Sequence, residues 1–459
     1  MISIIMVIII CAAASAMCYK ACFGNKLNTS DKDTTFYVCG FLIIAAAVRI
    51  MCAKMYFGMG SDWMAFARWA TNLQEKGLGE FYSMENEHIQ YPPLYVYVLW
   101  IIGEIRNLAH LSDSVFYALM KVPPIVCDLV SGIVIYKIAE KKLNKNQAIA
   151  VMAVWLFNPA LLTDSALWGQ VDVLYTFFVG LMLYFIAERK LIYSYYVFAI
   201  CLLLKPQALF IAPVMVYGII EQVFIEESPE KKVKTILEHL IFGLSAIAMM
   251  VIISAPFGIN KTFEQYKETV QSSSYITQNA FNLWGAMGKN YEYINGFFGP
   301  MGNILLVSVV AFSAFVYFKS KEKSKVYISG AIMVFFIYML SVKMNERYAF
   351  TAMILLLLAF IERPNLKNFT LYTLITLSQF FNIAYVLFVI WGVDYYKYYK
   401  SPVIVAASII NVTIFAYMVY VIIKDYCYAK KTQSVALDAE TGNCDAEIDN
   451  NVEIDNIEE

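Results

Sequence analysis

SPVIVAASIINVTIFAYMVYVII, residues 401–423, carries no acid and no base over a length that matches the roughly 20 mostly apolar residues a helix needs to cross a hydrocarbon core. Comparable runs recur at 2–19, 36–57, 172–187, 239–257, 326–342 and 369–391, and about a dozen stand out along the chain by that criterion. A backbone in hydrocarbon must bond within its own segment. Barrel strands would show about ten alternating residues each instead of continuous runs. The fold class is therefore all-α: a polytopic transmembrane helical protein of about 11–13 spans, with interfacial helices in the first external loop.

Composition agrees. Sixty per cent of the residues are apolar and 15% charged, with a mean hydropathy of +0.59, against roughly 45–50% and about 25% in soluble domains. Net charge is -1, and the basic residues gather in short clusters beside the apolar runs, not in one patch. Nucleic-acid binding has no support in that pattern. The 9 cysteines are scattered, mostly inside apolar runs, without a CxxC pair or histidines at ligand spacing. They read as small core residues and predict no metal centre. The first run lacks a basic n-region and a small-x-small cleavage site, so a retained first helix is expected rather than a removed signal peptide.

The chain divides into three regions: 1–35, an extra N-terminal transmembrane helix and linker; 36–425, a multi-span domain; and 426–459, an acidic, disordered cytoplasmic tail with nine acids and no base from Thr432 onward. Two long hydrophilic stretches, 58–91 and 257–302, leave room for a site. Short loops rich in Lys and Arg stay cytoplasmic. Lys424, Lys430 and Lys431, then Arg363 and Lys367, Lys319 to Lys325, and Lys231 to Lys234 fall on that face. The 257–302 stretch, Lys343 to Tyr348, the Lys205-Pro206-Gln207 bend and Trp168 to Asp172 then face the extracytoplasmic side of a multi-pass cell-membrane protein. The count breaks down at 58–91, which lands inside if 92–108 and 116–137 both cross.

Chemistry concentrates in those gaps. GMGSDWMAFARWATNLQ, 58–74, sets Trp63, Phe66, Trp69, Ala70 and Leu73 at helical spacing against Arg68, Asn72 and Glu75, as suits an interfacial helix. Asp62 stands at its start, as an N-cap, as a general base at the membrane surface, or as both. YPPLYVYVLW, 91–100, opens on Tyr91 with a proline helix-start signal. NPALLTDSALWGQVD, 158–172, clusters Trp168, Gln170 and Asp172, a set suited to a hydroxyl-rich ligand or, for Trp168 alone, to the interfacial aromatic belt. Lys205 and Gln207 in LKPQ (204–207) mark a hairpin bend or a cavity-facing charge. Asn279 and Trp284 in NAFNLWG (279–285) pair amides with aromatic faces. KMNERY, 343–348, packs Lys343, Glu346, Arg347 and Tyr348 into a short gap, where the guanidinium fork suits phosphate and the bland alternative is a loop with its own ion pair.

In order and spacing, Asp62 and these motifs resemble the integral-membrane C-type glycosyltransferases, in particular bacterial proteins similar to the GPI-anchor mannosyltransferase and, more distantly, the dolichyl-phosphate-glucose glucosyltransferases. The resemblance spans roughly residues 36–360. It implies a polyprenyl-phosphate sugar donor, a hexose such as mannose, a lipid-linked or cell-envelope glycan acceptor, inversion at the anomeric carbon and an extracytoplasmic site. By match to the family, Asp62 deprotonates the acceptor; Trp168, Gln170 and Asp172 fill its WGQxD element; Lys205 and Gln207 its KPQ element; Lys343 and Arg347 its KMHERY-like element, contacting the lipid phosphate. Tyr91, Asn279, Trp284, Glu346 and Tyr348 join the donor- or acceptor-binding set. Asn345 stands where relatives carry His, and it brings neither proton nor charge. The resemblance puts Asp62 outside and makes 92–137 the irregular region. No cofactor is expected, although Glu80, Glu85 or Glu87 offer a weak divalent-cation site. Membrane lipid is the surrounding partner.

A phosphate leaves without protonation, so one base suffices, and the isoprenoid tail requires a lipid-facing groove. A secondary transporter is the alternative from another class, and a polysaccharide polymerase or flippase a further one. A transporter predicts inverted repeats, broken helices and charges within spans. No repeat is evident, and the charges are expected at helix ends.

Overall fold

The computed structural model describes residues 2–24, 31–56, 58, 60–84, 89–225, 228–271, 274–390 and 401–428. The acidic tail from Thr432, as well as Glu85 and Glu87, lies outside these residues. Among them, eight helical stretches are long and apolar enough to cross a membrane, and four shorter apolar helices accompany them. The protein is all-α and multi-pass.

The chain opens with α1 (Ile2–Phe23) and α2 (Asp31–Met55), then α3 (Gly60–Lys76), α4 (Pro93–Leu108), α5 (Asp113–Met120) and α6 (Val122–Ala139). α7 (Lys145–Leu156) and α8 (Pro159–Leu161) run on into a π-helical turn, Leu162–Trp168. Next come α9 (Asp172–Ala187), α10 (Leu191–Leu204), α11 (Ala212–Ile225), α12 (Pro229–Ser254), α13 (Ile259–Gln271), α14 (Leu283–Ala286) and α15 (Phe298–Lys319). The series closes with α16 (Lys325–Leu340), α17 (Ala352–Glu362), α18 (Leu366–Tyr385) and α19 (Pro402–Ile422). Two short strands, β1 (Thr277–Gln278) and β2 (Met344–Asn345), pair in parallel and fasten the long loop after α13 to the turn after α16.

α16 and α17 are apolar on every face and buried nearly throughout, as a helix without a polar stripe must be. α12 does the opposite: Leu240, Ile241, Leu244, Ile247 and Ile252 are exposed, a face suited only to lipid. At 1.5 Å per residue α17 rises about 16 Å, well short of the roughly 30 Å of hydrocarbon. The turn that precedes it, Ser341 to Thr351, is therefore drawn into the bundle. That depth is what buries Glu346 and Arg347.

The bundle has two chemically different ends. At one, ion pairs stitch the short basic loops together: Lys142 to Glu362 at 3.2 Å, Lys325 to Glu221 at 2.8 Å, Lys367 to Asp425 at 2.7 Å, and Lys323 to Glu188. At the other lie the 168–172, 205–207 and 341–351 turns and the long loop after α13.

The segment between α2 and α6 is closed at its base. The Lys121 ammonium, at the start of α6, donates to the Tyr56 carbonyl, at the end of α2, over 2.6 Å. The chain from α3 to α5 thus starts and ends beside one ammonium. α4, with Glu104 and Arg106 near its end, packs on α3 so closely that a Cβ on Gly103 would lie 2.2 Å from the Ala70 carbonyl oxygen. The amphipathic reading of α3 holds for most of its positions: Phe66, Trp69, Ala70 and Leu73 are buried while Arg68 and Glu75 face outward, and Trp63 and Asn72 are both half-buried.

The expectation that charges stay at helix ends needs correction. Arg49 of α2 and Asp128 of α6 form a fully buried ion pair at 2.8 Å inside the bundle. Arg49 also donates to the Ala45 and Leu156 carbonyls, and the Ser165 hydroxyl donates to Asp128. A charge in this setting persists only when partnered, and here the partners come from α2, α6, the end of α7 and the π-helical turn.

Candidate active site

The π-helical turn delivers its last residue, Trp168, into a sharp reversal. Gly169 adopts a φ of 84°, and the Gly169 and Gln170 amides both donate to the Asp164 carbonyl, at 3.0 and 2.9 Å. π-turns inside helices cluster at functional sites. Trp168 and Gln170 then point at the start of α3. The Asp62 carboxylate accepts from Trp168 Nε1 at 3.0 Å and from Gln170 Nε2 at 2.5 Å. Asp62 lies two residues inside α3, in its first turn. Gln170 is oriented from behind by the Tyr91 hydroxyl, which donates to Oε1 at 3.4 Å. Burial pushes the Tyr91 phenol far above its ordinary value, so it stays a neutral donor.

Asp172 begins α9 and meets two cations. Lys205, extended at the end of α10, donates to one carboxylate oxygen at 2.7 Å, and Arg347 stands 3.9 Å from the other. The Arg347 guanidinium also pairs with Glu346 at 3.2 Å and lies over the Trp168 ring, 4.7 Å from its centroid. Burial opposes charge on Arg347, but Asp172 and Glu346 outweigh it and hold the guanidinium protonated. Lys205 sits 5.8 Å from the Tyr91 ring centre. Gln207 lies against the Tyr348 hydroxyl, whose own ionisation burial pushes up.

Asp62, Tyr91, Trp168, Gln170, Asp172, Lys205, Glu346 and Arg347 thus form one network, and Gln207 and Tyr348 adjoin it. Asn279 and Trp284 serve a different purpose. The Asn279 side chain bonds Asn290 and the Tyr291 hydroxyl, and Trp284 Nε1 caps the Leu340 and Ser341 carbonyls at 3.1 and 2.9 Å. Trp284, Ile276 and Val342 make a small core that seats the long loop over the 341–351 turn. Lys343, at a φ of 65°, donates its amide to the Ile276 carbonyl, and Asn345 pairs with the same loop through β2. Glu80 is exposed, and among the described residues no three His, Cys, Asp or Glu side chains converge as metal ligands.

Three buried neighbours escaped the sequence reading. Lys121 stands immediately before Val122-Pro123-Pro124, the only trace of its role. Asp164 falls within the 158–172 motif, and its carboxylate is fully buried in the electrostatic field of Asp172, Arg347 and Lys205. Gln379 of α18 donates to the Glu346 carbonyl at 2.9 Å, a contact between segments too distant for any motif to reveal.

The site gathers a carboxylate held by two neutral donors, a second carboxylate between two cations, and an arginine over an indole. Cations held in this way suit an anion, and the neighbouring amide and phenol suit hydroxyl groups. No curated protein matches the chain. Over residues 71–283, which take in Tyr91, the WGQVD turn, Lys205 and Gln207 but neither Asp62 nor the Arg347 turn, the chain is similar to a family of membrane proteins described as the GPI transamidase subunit PIG-U.

Proposed function

We propose that this end of the bundle is the active site of an inverting glycosyltransferase, which moves a hexose such as mannose from a polyprenyl-phosphate donor to a lipid-linked or cell-envelope glycan acceptor. The observation that carries the reading is the Asp62 carboxylate, fixed by Trp168 and Gln170 within one network that also contains Lys205 and Arg347. In this scheme Asp62 takes the proton of the acceptor hydroxyl as its oxygen attacks the anomeric carbon. The bond to the donor phosphate breaks, and the phosphate departs as an anion toward Arg347 and Lys205. Asp172 and Glu346 orient Arg347, and Trp168 offers the ring on which it lies. The stitched basic end is cytoplasmic in this reading, with the tail beyond 425, and the site faces the opposite side.

Asp62→Asn keeps the hydrogen-bonding shape and removes the base. Transfer from a radiolabelled polyprenyl-phosphate hexose to membrane acceptors should fall on the order of 10²–10⁴-fold, with protein yield and thermal stability retained. Undiminished transfer would remove Asp62 from the mechanism.

The family match favours a second reading: a subunit of a larger membrane assembly in GPI-anchor processing that holds a phosphate-bearing glycolipid without transferring sugar. Wild-type protein that binds such a lipid reversibly and never consumes a polyprenyl-phosphate hexose would establish it over the first.

A further inference from the structure

We infer that Lys121 is a positioning residue, an ammonium clasp that sets Asp62 and the Trp168–Gln170 arm in register. Its Nζ donates to three carbonyls: Tyr56 at 2.6 Å, Leu167 at 2.8 Å and Ala166 at 2.9 Å. Tyr56 lies six residues before Asp62, and Leu167 directly precedes Trp168. One buried cation therefore ties the two segments whose tips make the central contact of the site. An ammonium has three protons and no acceptor, so three carbonyls converging on it satisfy it completely. A neutral side chain of similar length leaves those carbonyls without their donor in a buried setting.

The surroundings fit a clasp and not a general packing role. A Cβ on Gly58 would stand 2.1 Å from the Trp168 carbonyl oxygen, so the segment leading from Tyr56 to Asp62 touches the arm itself. A Cβ on Gly169 would meet the Lys121 chain at 3.2 Å, so the reversal is moulded on that side chain. The ammonium touches neither Asp62 nor any of the groups assigned to the donor. It acts through them, and its part in catalysis rests on the transferase reading above.

Full-length protein in lipid nanodiscs, as wild type, Lys121→Met and Lys121→Arg, provides the test through two readouts. Amide exchange at Gly169 and Gln170 should quicken at least tenfold in Lys121→Met while α16 and α17 stay protected, and Lys121→Arg should recover part of the loss. With a polyprenyl-phosphate hexose as donor, kcat should drop on the order of 10²-fold with little change in KM, since displacement by an ångström suffices for such a loss. Exchange unchanged at the arm, or raised uniformly through the bundle, would overturn the clasp. Local loosening in Lys121→Met alongside a wild type that never transfers sugar would uphold the clasp and sink the transferase reading instead.

Discussion

Arg347 and Glu346 show how a single turn sets the electrical character of the site. The guanidinium is shared among Asp172, Glu346 and the Trp168 ring, and removing it leaves Glu346 buried without its cation, at a cost of about 3–5 kcal/mol. Burial pushes the Glu346 carboxyl above the usual glutamate value, against the opposing pull of Arg347. The folded protein then binds that proton more tightly than the unfolded chain does. Its stabilising contribution is complete below the unfolded value of about 4.3 and is lost as pH rises through the folded value. Glu346→Gln should flatten the fall in thermal stability that sets in as pH rises above about 4.3, measured by scanning fluorimetry. An unchanged slope would assign the dependence to another carboxyl.

Among the elements, α3 and α4 depend on one close approach. Gly103→Ala must push against the Ala70 carbonyl, which cannot swing aside within a helix, and should lower stability by about 1–3 kcal/mol. Gly40→Ala in α2, where nothing lies within 4 Å, should leave stability equal or slightly higher. Thermal melts of the two variants side by side check both. The same pair of helices marks what the sequence made legible. The 3.6-residue pattern of Phe66, Trp69, Ala70 and Leu73 announced α3, and Pro92-Pro93 announced the start of α4. That the end of α2 and the start of α6 meet was written in neither segment but in a hydrogen bond between Lys121 and Tyr56. In the site, Asp62, Trp168, Gln170, Asp172, Lys205 and Arg347 were each visible as polar residues interrupting apolar runs. Asn279 and Trp284 share that signature yet bond within and beside their own loop, because composition does not distinguish an amide that awaits a ligand from one that bonds a neighbouring side chain. Arg49 and Asp128 went unread for the opposite reason: one charge in a long apolar run is outvoted by its neighbours, and its partner lies in another helix.

At the scale of the whole molecule, the division into a stitched basic end and a site end predicts opposite exposure across the membrane. In a background without native cysteines, Tyr293→Cys on the long loop should react with an impermeant maleimide in intact cells. Lys321→Cys, between α15 and α16, should react only after permeabilisation. Labelling of both from one side would contradict the assignment of the ends. The α3 to α5 excursion adds a consequence for how the architecture tolerates change. Because it departs and returns at Tyr56 and Lys121, the spacing of its two stems, the end of α2 and the start of α6, is set by that one contact and not by what lies between them. Helices could be lengthened, swapped or added within it without inverting the rest of the bundle, so long as both stems still reach the same ammonium. In the transferase reading, the element that carries Asp62 is then the part of this protein most open to being rebuilt for another acceptor.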